Sequence, residues 1–185
     1  FIALRKLNDP DTALHHFAAL KAAVQTPISL SRADYWTGRA MQAKGDAAGA
    51  DAAYHVAAQH QTAYYGQLAA EKLGLSLDPA LVNVSEPQRG YKSAPFANSS
   101  VLQAARLLAA IGERGQAKRF FLHLAETQDR AGLEPLSDLA LLLDEPHIAL
   151  VVAKQAAEKG WILPRAYYPV PAMVPDNLSV SRALT

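Results

Sequence analysis

Six histidines, His15, His16, His55, His60, His123 and His147, are the first residues to test for chemistry. No two of them stand i, i+4 around a glutamate, as a zinc-binding helix requires, and none is flanked by clustered carboxylates. The chain has no cysteine, which excludes disulfides, thiolate metal sites and Cys–His nucleophiles. Neither a nucleophile elbow nor a phosphate-cradling glycine loop occurs. Glu113 and Glu145 fall at helix starts, where a carboxylate complements the macrodipole. No acid sits in an apolar stretch of the kind that raises a carboxyl pKa. The expectation is a chain with no metal, no cofactor and no catalytic residue.

Aromatic residues are the remaining candidates. In "TAYYGQLAAEKLG", residues 62–74, Tyr65, Leu68, Ala69 and Leu73 share one face of a helix. Tyr64 projects about 100° away, towards a neighbouring groove or solvent. Gly66 admits a close approach by another helix. Tyr64 is either packing hardware or a platform on which a sugar ring could stack. "RAYYPVPAM" offers a second candidate: Arg165, Tyr167 and Tyr168, expected on an extended strand without an internal partner. They could line a carbohydrate groove, or lash the helices to whatever follows.

The elements that hold these residues read as helices. About one residue in five is Ala, the best helix former, and half of the 185 residues are hydrophobic. "DPD" at residue 9 is an N-cap with Pro in the first turn, and Leu14, Phe17, Leu20 and Val24 follow at helical steps. A second helix ends at Gly45, Asp46 caps a third, and Thr62 opens a fourth that ends at Gly74. Residues 75–97, with three prolines and no apolar stripe, read as an extended connector. Helices resume at "NSSVLQAARLLAAIG" and "ERGQAKRFFLHLAETQ", then at "EPLSDLALLLD" and "EPHIALVVAKQAAEKG". "WILPRAYYPVPAMVPD", with four prolines, reads as extended again. The expected organisation is helical hairpins over 1–74, a connector over 75–97, further hairpins over 98–163 and a Pro-rich linker over 164–185.

The helices repeat. Gly45, Ala50, Tyr54 and Ala57 align at identical spacing with Gly112, Ala117, Phe121 and Leu124, and again with Asp144, Ala149, Ala153 and Ala156. Ala13, Phe17 and Leu20 echo the later members. Gly38 and Ala105 lie seven residues ahead of Gly45 and Gly112, so both faces of each crossing carry small residues. A helix-pair unit of roughly this length is close to the tetratricopeptide period of about 34 residues. Such units bury their faces against neighbours. The expected fold is all-α, a right-handed superhelix of stacked hairpins. A net charge of +1 without a basic stripe argues against nucleic acid. No apolar run reaches the roughly 18 residues of a membrane span. The opening "FIALRKL" has no initiator Met or cleavage site, and "NLSVSRALT" reads as a helix start; both ends are expected to continue into a longer polypeptide.

The phrase "YWTGRAMQAKGDAAGADAAYHVAAQHQTAYYGQLAAEKLG" resembles the superhelical region of soluble lytic murein transglycosylases, in which a YW helix, a G-D turn and an aromatic YG helix run in this order. "AKQAAEKG", "LPRAYYPVP" and "SRALT" resemble the passage leading into their catalytic domain. Together the matches span about residues 29–185. The resemblance implies a periplasmic enzyme that cuts the bond between N-acetylmuramic acid and N-acetylglucosamine in peptidoglycan and leaves a 1,6-anhydromuramoyl end. In that family one Glu, in an E-S motif of a lysozyme-like domain, acts as acid and then base. This sequence holds no E-S dipeptide, so no catalytic residue carries over. By resemblance the chain is the non-catalytic scaffold, inactive alone, with glycan strands and its own catalytic domain as partners. A free-standing tetratricopeptide-like module for protein partners is the alternative.

Overall fold

In a computed structural model of the chain, residues 1–84 and 90–170 are described. They are all-helical, with no strand among them. The chain divides into two compact units, Phe1–Val82 and Asn83–Thr185.

The first unit contains α1 (Ile2–Arg5), α2 (Pro10–Ala23), α3 (Pro27–Ala43), α4 (Ala47–Ala58), α5 (Tyr64–Lys72) and the single turn α6 (Pro79–Val82). Its N-caps are those the sequence offers: Asp9 accepts from the Thr12 amide at 3.0 Å, and Asp46 from Gly49 at 2.8 Å. The expected start at Thr62 is corrected. The fourth helix begins at Tyr64 behind Ala63, which makes no side-chain cap bond. Here α3 is central, packing on α2, α4 and α5.

The second unit contains a short 3-10 turn (Tyr91–Ser93), α7 (Ser100–Ala110), α8 (Arg114–Glu126), α9 (Arg130–Leu142), α10 (Pro146–Glu158) and α11 (Pro164–Tyr167). α7 pairs with α8 and α9 with α10, and α10 also touches α8. Its core includes Leu102, Phe121, Leu133, Leu136, Ile148 and Val152. The helix expected to open at Glu134 opens earlier. Asp129 accepts from the Gly132 amide at 3.0 Å, and Pro135 lies inside the helix. Pro135 removes one backbone hydrogen bond. Leu133 and Leu136, both fully buried beside it, hold the turn helical regardless.

The repeat seen in the sequence is a repeat of geometry. Gly45 and Gly112 both have φ of 81°, and Asp144 takes the same left-handed corner at 55°. Asn8, at 52°, occupies the matching place before Ala13. After each corner the next amide reaches back to the end of the previous helix: Asp46 to Met41 at 3.0 Å, Glu113 to Leu108 at 2.9 Å, Glu145 to Ala140 at 2.9 Å and Asp9 to Ala3 at 2.9 Å. Five residues on, Ala13, Ala50, Ala117 and Ala149 are all buried. Gly38 and Ala105 are buried at the opposing face, joined by Ser137, the equivalent place before Asp144. A Cβ on Gly38 would stand 2.7 Å from the Tyr54 ring, which explains the glycine there. Thus a small residue on one helix makes room for a large one on the next.

Glu113 and Glu145 do hold N-cap positions, but neither makes a side-chain cap bond. The buried Glu145 carboxylate instead accepts from Arg114 Nε at 2.9 Å. The last carbonyls of α8 and one in the turn after it are met by Lys159, whose Nζ donates to Ala125, Glu126 and Gln128 at 3.2, 3.1 and 3.0 Å.

The 75–97 segment is not extended throughout. It holds α6 and the 3-10 turn, and Phe96 is buried in the core of the second unit. Buried Gln61 pins its first part: its Oε1 accepts from the Asp78 amide at 2.9 Å and its Nε2 donates to the Ser76 carbonyl at 3.3 Å. Likewise 164–167 is one helical turn, because Pro164 at its first position presets φ and burial of Ala166 and Tyr167 closes it onto α9 and α10. The rest of the expected linker, residues 171–185, lies outside the described residues.

Candidate aromatic binding surface

Tyr35 is the hub of the first unit. Buried on α3, its ring lies 5.6 Å from Trp36, 5.6 Å from Tyr54 and 5.4 Å from Tyr65. Trp36 extends the run to Phe1 at 5.0 Å, to Phe17 at 6.3 Å and to Tyr65 at 6.3 Å. Tyr65 then meets Tyr64 edge-on at 5.3 Å. These separations are those of favourable ring pairs. The Arg39 guanidinium lies 5.9 Å from the Trp36 ring and donates to the Tyr35 hydroxyl at 3.3 Å. The Tyr54 hydroxyl donates to Gln42 at 3.1 Å, and burial pushes its phenol up from the usual range.

The run therefore has a rigid inside and a wet end. Tyr65 is half-buried against the core, as its helical face predicts. Tyr64 is 67% exposed, its ring propped by Tyr65. Such a ring can offer a flat apolar face to a ligand at little cost in rotamer freedom. Gly66 is needed, but not for another helix: a Cβ there would collide with the carbonyl of His60 in the turn before α5. Sequence reasoning missed Trp36, which meets Tyr65, and Arg39, which lies over Trp36. Their spacing on α3 pointed to one face, but nothing local said that α5 would lie against it.

The second candidate set separates. Tyr167 is buried in the core of the second unit, so the expected strand without an internal partner is corrected. Its ring packs 5.1 Å from that of Tyr168, which stays 48% exposed. Burial pushes the Tyr168 phenol up, and Tyr167 adds to the effect. Arg165 Nε stands 3.9 Å from Asp138 on α9, tying α11 down. Of the three, Tyr168 alone keeps a substantially open ring.

A polar cluster accompanies α3. Lys21 Nζ bonds Asp34 Oδ1 at 2.6 Å, while Asp34 Oδ2 is buried without a hydrogen-bond partner. His60 faces this pair. Burial holds its imidazole below the ordinary value of 6.5; Asp34 opposes that, and Lys21 reinforces it. With the folded pKa below the unfolded one, the unfolded chain binds the proton more readily. This contribution is intact above pH about 6.5 and is lost as pH falls below it. Urea titrations at pH 7.5 and 5.5 should show His60→Gln losing less stability on acidification than the parent. An equal loss in both proteins would refute the assignment.

Among the described residues, no group of three or more His, Asp or Glu side chains could hold a metal ion. No helix among them is long and apolar enough to cross a membrane. No known protein-family model matches the chain, and no curated protein or solved structure is detectably similar to it.

Proposed function

We propose that this chain is the non-catalytic helical scaffold of a peptidoglycan lytic transglycosylase of the periplasm. Its helix pairs stack as a right-handed, tetratricopeptide-like superhelix. They position glycan strands for a Glu-bearing lysozyme-like domain outside this sequence. The observation that supports the reading is the exposed Tyr64 ring, held on edge by Tyr65, whose own ring packs on Tyr35 and Trp36. Sugar rings present apolar C–H faces and hydroxyls. The Tyr64 ring face suits the first and its phenol hydroxyl the second. Tyr168 and Arg165 are the secondary contacts.

Titration with N-acetylglucosamine–N-acetylmuramic acid oligomers tests the reading. Saturable binding is expected, weakened about tenfold by Tyr64→Ala, roughly 1.4 kcal/mol. Arg165→Ala and Tyr168→Ala should have smaller effects. The chain alone should leave purified cell wall undigested. Absence of glycan binding would end the reading. The alternative, a module for protein partners, is favoured by one separate observation: the exposed apolar residues on α7.

A further inference from the structure

The geometry points to a second copy of this chain as the partner of α7, the two copies pairing antiparallel about a two-fold axis at Ala109 and Ala110. This inference stands independently of the glycan reading.

α7 has a buried face and an open one. Leu102 and Ala105 lie in the second unit's core, while Gln103, Arg106, Leu107 and Ala110 are exposed at three- and four-residue steps. The open strip runs past the end of the helix. The Ile111 amide donates to the Leu107 carbonyl at 3.1 Å, which stands Ile111 one turn beyond Leu107. Leu107 is 68% exposed and Ile111 73%. Gly112 turns the corner, and the Glu113 amide returns to the Leu108 carbonyl at 2.9 Å, so Glu113 stays beside the last turn of α7. Residues 110 to 116 are all exposed, which leaves the corner open to a neighbour.

The strip carries its own complement. The Arg106 guanidinium is stacked 5.6 Å from the Tyr91 ring and makes no ion pair with any described residue. Glu113 makes no side-chain cap bond. The two stand on either side of Leu107, Ala110 and Ile111 in the chain. An isologous pair sets residue i on residue j and j on i. Centred on Ala109 and Ala110, it sets Arg106 on Glu113 of the second copy and Glu113 on its Arg106. One register therefore satisfies both charges. The alanines at the axis admit close approach. Leu107 falls opposite Gly112, where nothing lies within 4 Å of a Cβ position. The open cavity of about 440 Å³ that Gln103, Arg106, Leu107, Ala110 and Leu143 line takes the incoming Glu113 side chain. A parallel pairing would set Arg106 against Arg106. A foreign helix would have to bring charges that this surface already holds at the matching spacing. The strip is short of a standard stable interface, so the dimer should be weak and exchange with monomer.

Sedimentation equilibrium of the full chain, over a hundredfold range of concentration, should show monomer and dimer in exchange. Arg106→Glu alone and Glu113→Arg alone should each weaken the dimer at least tenfold, since each sets like charges together twice. Mixed in equal amounts, the two variants should dimerise again, because every Glu then meets an Arg. Leu107→Asp should leave monomer only. All these side chains are exposed, and circular dichroism checks that the variants fold. A parent that stays monomeric at every concentration overturns the proposal, whether it then captures an amphipathic helical peptide, a phosphatidylcholine–phosphatidylglycerol vesicle or nothing. So does a dimer indifferent to both charge reversals, or a mixture of the two variants that stays monomeric.

Discussion

Gly66→Ala should destabilise the first unit by roughly 2–3 kcal/mol, although Ala is the better helix former. The new Cβ would stand 2.5 Å from the His60 carbonyl carbon, closer still to its oxygen, and 3.0 Å from the Gln61 amide nitrogen. Backbone cannot step aside as a side-chain tip can. The turn is also held on every side. The Ala63 amide donates to the His60 carbonyl at 2.9 Å, and Gln67 Nε2 to the Gln61 carbonyl at 3.0 Å. The Gln61 side chain is bonded in turn to residues 76 and 78. Displacing His60 would disturb all of these. Propensity alone would favour Ala by up to about 1 kcal/mol, so the sign of the measurement decides which effect wins. Gly115→Ala is the control: nothing lies within 4 Å of a Cβ there, and a small gain in stability is expected. A urea midpoint for Gly66→Ala at or above the parent's would refute the packing described for the start of α5.

Phe121→Ala should cost the second unit roughly 3–5 kcal/mol. Phe121 heads the fully buried side chains and packs with Leu102, Leu124, Leu133 and Val152 in one core. Truncation removes its transfer free energy and leaves a cavity that two layers of helices cannot close. Small domains hold only about 5–15 kcal/mol in total. The melting midpoint should therefore fall by on the order of 20 °C. Leu107→Ala, on the outer face of the neighbouring helix, should scarcely shift it. A loss under 1 kcal/mol for Phe121→Ala would mean that α7, α8 and α10 do not meet as described.

The contrast between Phe121 and Tyr167 shows how far the sequence could be read. Phe121 belongs to a spaced set with Phe17, Tyr54 and Ala153, so its place in the repeat is legible in the sequence. Tyr167 belongs to no such set. It lies between prolines, and local rules gave it an extended backbone. Only contact with α9 and α10 folds 164–167 into a turn and buries that ring. Pro135 makes the same point. Sequence logic starts a helix at Glu134, whereas the buried leucines beside it carry the helix through. Tyr64 was legible as an outward ring from its helical angle alone. The anchoring of its neighbour Tyr65 on Tyr35 and Trp36 was not, because those two residues come from a helix more than 20 positions earlier.

By itself, the sequence determined the helices, the corners that end them and the repeated small residues at their crossings; that a small residue there faces a large one, as Gly38 faces Tyr54, came from the structure. Each depends on residues within a few turns: alanine propensity, a glycine or Asp at positive φ, a capping carboxylate. Tertiary structure alone decided which aromatic rings are rigid and which are open, that a carbonyl rather than a helix fills the space beside Gly66, and that Arg106 overlooks an apolar groove. Those outcomes depend on which surfaces meet across long stretches of chain, and helical periodicity says that a face must be covered without saying by what.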